Sequence, residues 1–180
     1  VQNRCESIIE LASDWKSNIN LIPTRRESIN KIEDVTTIGC FKIDNSQAKE
    51  GFRRLVSQFQ SILFVSLRKT LRQQFENVQE LVTKGLELVT GNFDTAEAIA
   101  ESRVKFQELA KSKVETELTF TSLEEKVNLL KTRENIEEEN EEFNKLRANW
   151  KLLTEKMESF DSNVASQFEN VKNKMRDEFQ

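Results

Sequence analysis

One proline and four glycines in 180 residues are too few turn formers for the roughly eight tight reversals of a β-sandwich or barrel. All-β architecture is excluded. Histidine is absent, which removes the commonest general base and the commonest zinc ligand. The two cysteines, Cys5 and Cys40, cannot complete a Cys₂His₂ or Cys₄ site. No apolar run approaches the ~20 residues needed to span a bilayer; clusters such as Ile62 to Val65 are far shorter. There is no G-x-x-x-x-G-K-S/T phosphate loop and no G-x-G-x-x-G, so nothing cradles a nucleotide. Carboxylate neighbours such as Glu124 and Glu125 point apart on a helix and cannot act as an acid and base pair. The sequence therefore predicts no catalytic residue, no cofactor site and no metal site.

What is present is a full complement of core formers, 37% hydrophobic against 32% charged, in a chain long enough for one domain or two small ones. The 27 basic and 31 acidic residues leave a net charge of −4. That balance argues against a nucleic-acid binder, whose footprint is a basic excess. Charge is unevenly spread, and only residues 46–90 are net basic, at +3. A crescent-shaped membrane-binding dimer would need a basic concave face, whereas two of the three long helices are acidic, so no direct membrane binding is expected. With no apolar signal run ahead of Cys5, a reduced intracellular protein is expected. Helical periodicity is still running at Phe179-Gln180, as in a piece of a larger polypeptide.

Apolar positions Ile8, Leu11, Ala12, Trp15, Ile19 and Ile22 recur every three or four residues and predict an amphipathic helix that Pro23 ends. A turn around Ile29 and Ile32 leads into residues 35–43, where β-branched residues alternate and predict one extended segment or short strand. In that reading Thr36, Ile38 and Cys40 oppose Gly39, Phe41 and Ile43, and the strand must find a partner elsewhere or lie along the helices. Asp44, Asn45 or Ser46 can cap the next helix, 46–90. Its apolar stripe is broad, which implies burial on more than one side. Gly91-Asn92 fits a left-handed helix stop, and Asp94-Thr95-Ala96-Glu97 an N-cap with a reciprocal glutamate.

In the helix 95–131, Ile99, Phe106, Phe120 and Val127 keep sevenfold spacing, with a lapse at Lys113 and Thr116 that fits a register slip, a bend or a missing facing helix. The acidic run Glu134 to Glu142 suits a solvated turn and the first turns of a helix, or a docking surface for basic partners. In the helix 136–179, Ile136, Phe143, Trp150, Met157, Val164 and Val171 are seven apart, and by Phe168, Met175 and Phe179 the stripe drifts by one position. The expected fold is all-α: an elongated antiparallel bundle of long helices with one short extended or β segment. Residues 1–45 form the N-terminal helix and extended segment, and 46–180 the three-helix bundle, as one continuous unit. The expected core holds Trp15, Phe59, Phe106, Phe120, Phe143, Trp150, Met157 and Phe160. Phe52, Phe64, Val65 and Leu88 lie off the main stripe of the basic helix and form a candidate partner surface.

The segment Thr37-Ile38-Gly39-Cys40-Phe41-Lys42-Ile43-Asp44, followed by a long helix containing Leu67-Arg68, resembles the G-L-F-x-hydrophobic-D strand and helix of dynein heavy-chain tails. Lys105-Phe106-Gln107-Glu108, Leu123 to Leu130, Leu146-Arg147-Ala148-Asn149-Trp150 and Met157-Glu158-Ser159 follow in the order and spacing of the tails that serve intraflagellar transport, just before the motor's linker. The resemblance implies a non-catalytic spacer and subunit scaffold in a cytoplasmic and ciliary microtubule motor. By the same resemblance its partners are intermediate or light intermediate chains and the flanking heavy-chain tail. A spectrin-like or other coiled-coil adaptor shares the heptads and a heptad tryptophan, but has no need of the 35–43 segment.

Overall fold

A computed structural model describes residues 12–131 and 136–178. Among these the chain is 87% helical, so it is all-α, with one small two-stranded sheet as its β component. The elements are α1 (Ala12–Asn30), β1 (Val35–Ile38), β2 (Phe41–Asp44), α2 (Ser46–Thr90), α3 (Ala96–Lys131) and α4 (Glu137–Glu178). They divide into two compact units: residues 1–72 with 125–135, and residues 73–124 with 136–180. The expected helix positions before Ala12, the turn at 132–135 and Phe179 lie outside the described residues.

In the first unit, Pro23 does not end α1, which continues through it to Asn30. An interior proline costs about 3 kcal/mol, and the compensation is on the far side of it. Ile29 is buried on the same face as Trp15, Ile19 and Ile22, and burying one such side chain contributes about 1.5–3 kcal/mol. The C-terminal half is also tied to α2: Arg26 donates to Gln60 Oε1 at 2.7 Å, and Arg53 donates to Asn30 Oδ1 at 3.1 Å. These two pairs run in opposite sequence directions, so α1 and the start of α2 are antiparallel. Among the described residues, Leu63, Phe64, Leu67 and Leu71 of α2 and Lys126, Val127 and Leu130 of α3 are also buried in this unit.

Residues 35–44 find their strand partner within themselves. β1 and β2 pair antiparallel, Ile38 opposite Phe41 and Thr36 opposite Ile43, closed by the two-residue turn Gly39-Cys40. Gly39 has φ +62° and is the sole residue with positive φ among those described; a glycine in that conformation at the first turn position alone is the type II′ arrangement that suits the twist of paired strands. The pairing also changes the faces: Thr36, Ile38, Phe41 and Ile43 share one side, because directly opposite residues project together. At the hairpin's end the capping roles are divided. Asn45 gives the carbonyl that receives Lys49 N–H and spends its side-chain amide on Glu33 O and Thr36 Oγ1. Asp44 Oδ1 accepts from Ser46 N–H at 2.8 Å, and hydrogen bonding by Ser46 holds the Asp44 carboxyl below the usual carboxylate range.

The second unit is a three-helix bundle. Phe120 lies against Phe143 and Trp150, Phe106 stacks on Phe160 at 4.1 Å, and Arg147 pairs with Glu124; rising numbers on α4 meet falling numbers on α3, so these helices are antiparallel. Phe75 approaches Phe143, and Gly85 approaches Leu153, so α2 and α4 run parallel. The lapse in the α3 heptad is not a break. Lys113 is exposed, Ser112 takes the half-buried position beside it, and Thr116 is buried. Both hydroxyls return to their own helix, Ser112 to Leu109 O and Thr116 to Ser112 O, which removes most of the penalty of burying them.

The reversal falls at residues 91–94, between α2 and α3, but not by a left-handed glycine. Gly91 leaves room for the Phe93 ring, whose tip would have to shift from a β-carbon placed 2.9 Å away. Thr95 rather than Asp94 caps α3, its hydroxyl accepting from Ala98 N–H at 3.2 Å. The clasp comes from α4: Gln167 Oε1 accepts from Phe93 N–H at 2.9 Å, and Gln167 Nε2 donates to Gly91 O at 3.1 Å. This explains why the predicted drift of the stripe does not occur. Val164, Gln167 and Val171 stay inward while Phe168 and Met175 are exposed. Gln167→Ala leaves the Phe93 amide and the Gly91 carbonyl of the reversal without partners, so denaturation should report a loss of about 1–2 kcal/mol; no change would mean that water replaces the clasp.

Candidate partner-binding surface

Between Ser46 and Arg72, α2 carries two apolar stripes in different frames. Val56, Gln60, Leu63, Leu67 and Leu71 turn inward, half-buried at first and fully buried from Leu63. Phe52, Leu55, Phe59 and Ile62, spaced by three, four and three, occupy a neighbouring face and are exposed, with Val65 beside them. The placement corrects two expectations. Phe59 is not core but 48% exposed, because it belongs to the second frame. Phe64 is not available to a partner but 4% exposed, on the side where α2 meets the rest of its unit. Phe52 and Val65 do lie open, Val65 at 69%. Leu88 is half-buried and sits in the second unit, so these four residues do not form one patch.

Leu55 and Ile62 complete the exposed stripe and were not singled out from sequence. The signal that separates the frames is their continuation. The inward frame runs on through Leu67 and Leu71, whereas the outward frame next meets Ser66 and Lys69. An apolar frame that turns polar after three turns is one whose covering partner is short or external. The hairpin adds a second apolar face in this unit, with Ile38, Phe41 and Ile43 all exposed on one side of the sheet. Cys40 is an exposed free thiol in its turn.

Of the remaining expected core, Trp15, Phe120, Phe143, Trp150 and Phe160 are buried, and Phe106 and Met157 half-buried. Trp150 combines burial with a satisfied N–H, donating to Glu117 Oε1 at 2.6 Å. Trp15 Nε1, equally buried, finds no acceptor among the described residues.

In the second unit a groove of about 590 Å³ is lined by Glu80, Lys84 and Leu88 of α2 on one side and Lys105, Glu108 and Leu109 of α3 on the other. Its charges are organised as pairs within each helix. Lys84 Nζ contacts Glu80 Oε1 at 2.6 Å, and this hydrogen bond and charge hold the Glu80 carboxyl below its ordinary range and the Lys84 ammonium above its own. Lys105 does the same to Glu101. All are solvent-exposed neighbours one helical turn apart, an arrangement that solubilises a helix rather than one that poises a proton donor against an acceptor. Among the described residues no group of three or more His, Cys, Asp or Glu side chains is placed to hold a metal, and no helix is long and apolar enough to cross a membrane.

No family model matches the chain. Cytoplasmic dynein 2 heavy chain 1 of Mus musculus is 22% identical over 97% of this chain, and that of Homo sapiens is 22% identical over 93%. The Chlamydomonas reinhardtii protein of the same name is 20% identical over 88%. The chain spans only 4% of the length of each of these relatives. Over nearly all of its length, the chain is similar to one short segment of the cytoplasmic dynein 2 heavy chain.

Proposed function

We propose that this chain is a non-catalytic structural segment of a microtubule-motor heavy-chain tail, a helical spacer just before the linker that also carries subunits of the dynein of intraflagellar transport. The observation that carries the reading is the extent of the likeness: 97% of the chain aligns with a stretch amounting to 4% of the relative. Nucleotide chemistry then belongs to other parts of such a heavy chain, in keeping with the missing phosphate loop. Long helices packed through heptad seams resist bending, which suits a spacer. Residues 1–45 and the bundle 46–180 work as one continuous tail segment in this reading. Its partners are intermediate or light intermediate chains and the flanking tail, and its place is the cytoplasm and the cilium.

The test is to replace residues 12–178 in the heavy chain that carries them with an unrelated three-helix bundle. Recovery of the intermediate and light intermediate chains should fall while the motor's ATPase is retained. Undiminished recovery of both subunits would refute the scaffold role, and loss of ATPase would refute the non-catalytic one.

A further inference from the structure

We draw no further inference here: the strongest candidate, the exposed apolar face of the β1–β2 hairpin formed by Ile38, Phe41 and Ile43, is a surface for which nothing in the structure shows what covers it.

Discussion

Replacing Trp150 with alanine is expected to destabilise the protein by about 3–5 kcal/mol, the range for truncating a large buried aromatic. The indole is almost wholly buried in the second unit, its ring centroid 5.8 Å from that of Phe120, which in turn lies 6.3 Å from Phe143. Truncation removes the largest ring of that aromatic cluster and leaves Glu117 Oε1 without its 2.6 Å donor. Two comparison variants divide the effect. Trp150→Phe keeps most of the apolar volume and loses the hydrogen bond, so it should cost clearly less than alanine. Glu117→Gln keeps an acceptor, and as a partly exposed side chain it should cost least. Urea denaturation reads all three; a Trp150→Ala loss below about 1 kcal/mol, the level of ordinary surface substitutions, would mean that the cluster does not hold the bundle together.

A leucine at Gly85 should cost about 3 kcal/mol, at the upper end of typical overpacking penalties. A β-carbon alone would lie 2.7 Å and 3.2 Å from the two methyls of Leu153 and 3.4 Å from Leu109. Leu153 is fully buried, so it has no free space into which to retreat. Glycine in a helix interior ordinarily costs about 1 kcal/mol relative to alanine, and the close approach of α2 and α4 at this position offsets that. Thermal denaturation tests the balance: a Tm at or above that of the parent chain would show that the three helices can separate without penalty.

Sequence periodicity reveals this fold where the pattern is local and regular. Phe143, Leu146, Trp150 and Leu153 alternate as heptad core positions, and all four are buried. It is less informative where distant residues decide. Pro23 is a helix breaker by local rules, and its tolerance depends on Ile29 and on hydrogen bonds to α2 that no window around it contains. The segment 35–43 has the composition of one strand, and only the positive φ of Gly39 converts it to a hairpin. Gln167 is polar at a heptad core position, and its reason for being there lies 74 residues away at Phe93. The candidate site was half legible. Surplus apolar area on α2 was evident from composition, but the breadth of the stripe hid two frames, which is why Phe59 and Phe64 exchanged roles.

The central claim, that this segment carries subunits without taking part in catalysis, is tested most directly by subunit recovery from a heavy chain bearing Phe52→Ser and Val65→Asp. Both side chains are exposed, so the segment should keep its fold. Copurification of the intermediate or light intermediate chains should fall severalfold while helicity and motor ATPase match the parent. Unchanged recovery from a folded variant, or a loss of ATPase in step with the subunits, would contradict it.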